Sequence, residues 1–290
     1  MASMRDIKRR RESVTSTQQI TKAMKLVSTV KLQRAKTRAL KSKAYFQSMY
    51  NTVTDLLAKS GTADVPYIKE QESKRKAILV ITSNRGLAGG YNSNVVKLIT
   101  KSDFIKENID IYNIGRKGRE LLERKGYTIK ADYSDLAEGF CYADAIKVCN
   151  KMLHEFDEGN IGEIYIAYTN FKNTVSQEAK LLKLLPVLPE EFAKDEDGDG
   201  KPDDLTMMNF EIPDDEALRL IVPKYVTSLI YGALVEAVAS ENGARMQAMD
   251  SATSNAEEMI DKLTLQYNRA RQGSITQELT EIIAGAQAIS

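Results

Sequence analysis

The sequence predicts an α/β chain in which a long antiparallel coiled coil, built from the N- and C-terminal helices, flanks an inserted α/β domain. Three observations carry that prediction. The first sixty residues hold no proline and no glycine. From Lys224 to about Ala288 proline is again absent and only Gly232, Gly243, Gly273 and Gly285 interrupt good helix formers. Between these ends, short runs rich in Ile, Val and Tyr alternate with helical patterns.

The N-terminal segment, residues 1–60, is rich in Lys, Arg, Gln, Ala, Met and Leu, which favour helix. Its apolar positions Ile7, Val14, Ile20, Met24 and Val27 recur at helical spacings but form a narrow stripe. A long helix with a narrow stripe is a coiled-coil strand or a bridge between partners. Thirteen basic side chains against Asp6 and Glu12 give residues 1–43 a formal charge of about +11.

In the middle, residues 75–210, strands are expected at Ile78–Ile81, Ile109–Ile114 and Glu163–Tyr168. Helices are expected at Asn92–Thr100, Lys117–Lys125 and Tyr142–Phe156. Strand and helix alternating at this spacing predict a Rossmann-like, mostly parallel sheet. The run "NTVSQEAKLLKLLPV" reads as a strand or hairpin closing its edge. An acidic insert follows at 193–206. The C-terminal segment, 214–290, carries Tyr225, Leu229, Val235, Met246, Met249, Ile260, Leu263, Tyr267 and Ala270 on one broad face. Sixty-odd helical residues would span about 90 Å. The simplest arrangement packs the two end helices antiparallel.

Composition narrows the function. Of 290 residues, 42% are hydrophobic, enough for a core, while 28% are charged, which favours solvated helices. A single histidine, His154, excludes a histidine-based metal site or triad and reads as a helix-surface or packing residue. Cys141 and Cys149 fit neither a disulfide framework nor a metal-ligand spacing, so a reducing compartment is expected. No apolar h-region follows Met1, and no run approaches the ~20 apolar residues of a membrane span, so the expectation is a soluble chain.

Three stretches imitate ligand sites. "KAILVITSNRGLAGGYNSNVVKLI", Lys76–Ile99, has the outline of a nucleotide-binding strand-to-helix turn. It lacks the lysine that a phosphate-binding loop needs after Gly90, and Gly86, Gly89 and Gly90 miss the dinucleotide spacing. These glycines are therefore read as a structural turn. In "DEDGDGKPDD", Asp195, Asp197, Asp199, Gly200 and Asp203 match positions of a calcium loop, but Thr206 replaces its bidentate Glu. An acidic surface insert and a weak Ca²⁺ site both remain open. The basic N-terminal helix suits nucleic-acid phosphate or an acidic protein partner, and it has no aromatics to stack on bases. No paired carboxylates, nucleophile motif or metal cluster points to catalysis.

Two end segments, "ITKAMKLVSTVKLQRA" (Ile20–Ala35) and "QYNRARQGSITQELTEIIAGAQA" (Gln266–Ala288), closely resemble the signature helices of the F-type ATP synthase γ subunits. "SNRGLAGGYN" (Ser83–Asn92) resembles that family's Ser-Asp-Arg-Gly-Leu-Cys-Gly motif, departing at Asn84 and Ala88. "SLIYGALVEAVASENGARMQAMDSAT" (Ser228–Thr253) fits as well, and the acidic insert is the main departure. The resemblance implies a non-catalytic central shaft without cofactor or nucleotide site. Its partners would be the hexameric ring of α and β subunits, the ε subunit and the c-ring of Fo, and no nucleic acid. It would lie at the cytoplasmic face of a bacterial cell membrane as a peripheral part of F1, coupling ion flow to conformational cycling of the β subunits. The family's torque contacts fall here on Met24, Arg9, Arg10, Arg245, Arg271, Gln272, Thr276 and Glu278. Phe210 and Glu211 would face the c-ring and ε subunit. Redox regulation known from plastid relatives is not implied, because the insert lacks the dithiol.

Overall fold

The computed structural model describes residues 4–59, 67–69, 71–187 and 214–289. The acidic insert 193–206, its calcium-like loop, and both Phe210 and Glu211 lie outside the described residues. In order, the elements are α1 (Met4–Lys59), β1 (Lys76–Ile81), α2 (Tyr91–Thr100), β2 (Ile109–Ile114), α3 (Arg116–Arg124), β3 (Ile129–Asp132), α4 (Tyr142–Asp157), β4 (Glu163–Phe171), β5 (Gln177–Leu185) and α5 (Asp214–Ile289). Contacts divide the chain into two compact units, Met1–Val30 with Arg245–Ser290 and Lys31–Ala244, so each boundary falls inside a long helix.

The unit Lys31–Ala244 is built on a five-stranded sheet of order β3-β2-β1-β4-β5. β1 pairs in parallel with β2 and β4, β2 with β3, and β5 closes the edge antiparallel to β4. β2 is buried along its whole length, and β1 from Ala77 onward, which is why β1 reads as an unbroken apolar run, while β2 interrupts its Ile and Tyr with the buried Asp110 and Asn113. On one face Ile78, Val80 and Ile111 pack with Val95, Val96 and Ile99 of α2 and Leu122 of α3. On the other, Leu79, Ile81 and Ile114 pack with Val148, Met152 and Phe156 of α4. That second layer is completed by Val53 and Leu56 of α1 and by Leu218, Val222 and Ile230 of α5. Each such side chain contributes about 1.5–3 kcal/mol by leaving water.

β3 was not anticipated from the sequence. Its four residues alternate half-buried and exposed, too short a pattern to stand out. Polar pairing anchors it: Lys130 reaches Glu155 at 2.8 Å and Asp110 at 3.6 Å. α5 begins before Lys224 and passes through Pro223, whose carbonyl accepts the Thr227 hydroxyl at 2.8 Å. One window within Glu216–Gln287 is also apolar enough to cross a bilayer by length and composition, with mean hydropathy 1.3. That corrects the expectation of no such run. Just over half of the window, 56%, is buried inside the protein, as a core helix requires.

The unit of residues 1–30 and 245–290 is an antiparallel helix pair. Among the buried or half-buried positions, one row of α1 runs through Ile7, Val14, Thr21 and Ser28, and one of α5 through Met249, Ala256, Leu263 and Ala270. Both series repeat every seven residues, the period of a left-handed coiled coil. The apolar stripe expected on α1 therefore needs correction: Ile20 and Val27 are 57% and 56% exposed and point away from the seam.

Where β2 enters α3, Gly115 has φ of +100° and its missing Cβ would overlap the Thr82 carbonyl. By contrast, a Cβ on Gly86 meets nothing within 4 Å. Gly115→Ala is expected to lower stability by about 2–4 kcal/mol through backbone strain and overpacking. Gly86→Ala should change it by less than about 0.5 kcal/mol. Thermal unfolding of the two variants followed by circular dichroism checks both.

Candidate functional site

The glycine turn leaves β1 at the carboxyl edge of the sheet, between the strands on either side of it. This is the position where open parallel sheets hold ligands. Its backbone is specialised: Gly89 has φ of +55°, and Leu87, which is exposed, has φ of +62° although it carries a side chain. Gly90 stands before α2 with an ordinary φ of −81°.

The turn leads into α2 and is tied to the start of the neighbouring helix α3, whose first amides have protein acceptors. Arg116 donates its N–H to Asn84 Oδ1 at 2.9 Å, and Lys117 to the Ser83 carbonyl at 3.0 Å. Gly118 donates to Thr82 Oγ1 at 2.9 Å. Asn84 is held from its other end, where Nδ2 donates to the Ser134 carbonyl. Asn92 closes the turn: its Oδ1 accepts the Ser83 amide at 2.9 Å and its Nδ2 donates to Ser83 Oγ at 2.8 Å. Asn113 adds bonds to the Gly115 carbonyl and to Asp132. Burial alone would raise the Asp132 carboxyl, but donors Ser134, Asn113 and Arg119 hold it below the usual range. The turn is thus knitted by the polar side chains around Gly86, Gly89 and Gly90.

The remaining polar candidates stand apart from the turn. Cys141 is the exposed residue preceding α4, and Cys149 is buried in that helix, with its thiol pushed up to about 11 by burial. His154 lies on the surface of α4, opposite Glu158. Among the described residues no three His, Cys, Asp or Glu side chains could hold a metal.

The helix pair is the other candidate surface. Arg9 and Arg10 are exposed on α1, and Met24 is half-buried beside the seam. Arg271, Gln272, Thr276 and Glu278 are all exposed on α5, where the Thr276 hydroxyl donates to the Gln272 carbonyl at 2.9 Å. Arg245 differs from them, since it is only 9% exposed and presents no open surface. Two apolar rows lie open that the sequence reading did not single out as surface. One runs through Ile20, Val27 and Val30 on α1, and the other through Ile275, Leu279, Ile282 and Ile283 near the end of α5. The signal for the first was present in the strict 7-14-21-28 repeat, but Thr21 and Ser28 disguise it because they are polar.

A family model described as ATP synthase matches residues 3–289. The chain is 61% identical to the "ATP synthase gamma chain" of Lachnoclostridium phytofermentans, with both chains covered completely. It is 40% identical to the "ATP synthase gamma chain, sodium ion specific" of Acetobacterium woodii, over 99% of each. Among solved structures, a chain of the Euglena gracilis mitochondrial ATP synthase shares the fold with a TM-score of 0.72. That match has 20% identity and covers 99% of this chain and 94% of that one. Full-length identity at this level, on a fold of two long helices and a mostly parallel sheet, establishes that the chain belongs to the ATP synthase gamma-chain family, the family of the central stalk.

Proposed function

We propose that this chain works as the non-catalytic shaft of an F1 assembly, turning inside a ring of α and β subunits and standing on the c-ring and the ε subunit. In a bacterium it would sit at the cytoplasmic face of the cell membrane, attached only through the complex. The division into a coiled-coil helix at 1–60, an α/β domain at 75–210 and a second coiled-coil helix at 214–290 belongs to the same reading.

The observation that carries it is the placement of apolar side chains on the helix pair. Ile20, Val27 and Val30 stand outward while Thr21 and Ser28 point inward. An exposed apolar row on a solvated helix marks a surface that another molecule covers. Around it, exposed Arg9, Arg10, Arg271 and Gln272 supply charge and hydrogen-bond donors. Contacts of exposed ion pairs are weak and break readily, as a surface passing one ring subunit after another requires. Within this reading Met24, Thr276 and Glu278 are further ring contacts. Arg245, being buried, would act on the shape of α5.

Co-expression with α and β subunits of the same organism tests the proposal, the expected result being a stoichiometric complex that hydrolyses ATP. A chain that stays alone in solution would overturn it. In that complex, Arg271→Ala with Gln272→Ala should lower ATP turnover about two- to five-fold, the worth of one or two exposed polar contacts. The helicity of the isolated chain should not change. Val27→Asp should leave the thermal midpoint of the isolated chain unaltered and reduce its recovery in the complex, as measured by gel filtration. Calorimetric titration of the isolated chain with millimolar ATP should give no saturable heat.

A further inference from the structure

The seam between α1 and α5 in the unit of residues 1–30 and 245–290 has a specific weakness. Between residues 11 and 28 the buried or half-buried positions of α1 are Arg11, Val14, Thr15, Gln18, Thr21, Met24, Lys25 and Ser28. Only Val14 and the flexible Met24 are apolar, so knobs-into-holes packing does little to define how α1 is rotated about its own axis. The opposing helix buries Met249, Ala256 and Leu263.

Two polar links cross this stretch. Thr21 Oγ1 and Thr253 Oγ1 lie 2.8 Å apart, with Thr21 buried. One turn further along, Lys25 Nζ meets Asp250 Oδ1 at 2.5 Å. Each threonine also lies within reach of a carbonyl on its own helix, Gln18 for Thr21 and Met249 for Thr253. One hydroxyl can therefore donate across the seam while the other donates along its helix. A third link, Arg11 over the Tyr267 ring at 5.4 Å, extends the series. The ion pair is half open to water, with side chains 39% and 57% exposed, so it contributes little to stability. What polar groups at a coiled-coil seam do supply is a defined setting of one helix against the other.

We propose that Thr21–Thr253 and Lys25–Asp250 form a positioning element that sets the rotation of α1 against α5. That setting decides the direction in which Ile20, Val27 and Val30 face. The proposal rests on the stalk reading above, because it is there that this direction bears on turnover. Lys25, Asp250, Thr21 and Thr253 are positioning residues: they touch each other, and the surface they orient is formed by their neighbours.

The test uses the full chain assembled with α and β subunits. Lys25→Asp and Asp250→Lys each replace attraction by like charge, and each should lower kcat for ATP about three-fold with KM unchanged, the scale of one exposed pair. The double exchange should restore kcat to near the starting value. Thr21→Val with Thr253→Val removes both partners of a hydrogen bond for apolar groups of the same shape, so the thermal midpoint should hold or rise. Its kcat should nevertheless fall. A direct reading of the setting comes from Thr21→Cys with Thr253→Cys in a Cys141→Ser background. This pair should oxidise to a disulfide readily, and adding Lys25→Asp should slow it about three-fold. Turnover that follows the thermal midpoint across these variants, or assembled Lys25→Asp complexes with unchanged kcat and disulfide rate, overturns the positioning role. Failure of the unaltered chain to assemble overturns the stalk reading instead.

Discussion

Strand β1 is buried on both faces, and the α/β unit is organised around that requirement. Leu79 and Ile81 need cover on one side, and Ile78 and Val80 on the other. A parallel sheet gains helices on its faces from its own crossovers, and α2 and α3 close one side in this way. On the opposite side α4 is joined by Val53 and Leu56 from α1 and by Leu218, Val222 and Ile230 from α5. The inner parts of the two long helices are therefore core elements of the α/β unit. They also explain why an apolar window in α5 resembles a membrane span by composition while being mostly buried in protein.

In the pair formed by residues 1–30 and 245–290, α1 inverts the usual distribution from Ile20 to Val30. Its inward side there holds Thr21, Lys25 and Ser28 and its outside Ile20, Val27 and Val30, while α5 keeps Met249, Ala256 and Leu263 buried. A polar seam weakens helix association, and an apolar exterior exposes the chain to unwanted contacts. Both features make sense if the pair is completed by a surface outside this chain. The apolar residues near the end of α5, from Ile275 to Ile283, have the same character.

Much of this was legible in the sequence, for identifiable reasons. β1, β2 and β4 announce themselves because burial enriches them in Ile, Val, Ala and Tyr, β1 and β2 being buried almost throughout and β4 in alternation. The glycine turn differs in sequence from a nucleotide loop by its missing lysine, and in the structure Asn92 and Asn84 tie it to Ser83 and to the start of α3. β3 escaped because an edge strand secured by Lys130 needs little apolar character. Hydrophobic periodicity does not reveal the seam, because the polar Thr21 and Ser28 occupy inward positions. The burial of Arg245 was also hidden, since a charged residue on a helix says nothing of which face it lies on. Phe210 and Glu211 stand outside the described residues.

The two cysteines have a practical consequence. Cys149 is enclosed in the core with its thiol pushed up to about 11, while Cys141 is exposed at the start of α4. Thiolate content and access together decide which sulfur an electrophile finds. The natural chain thus offers a single attachment point for a maleimide dye or a bead tether on its α/β unit, and an observer could follow its motion without first removing or adding a residue.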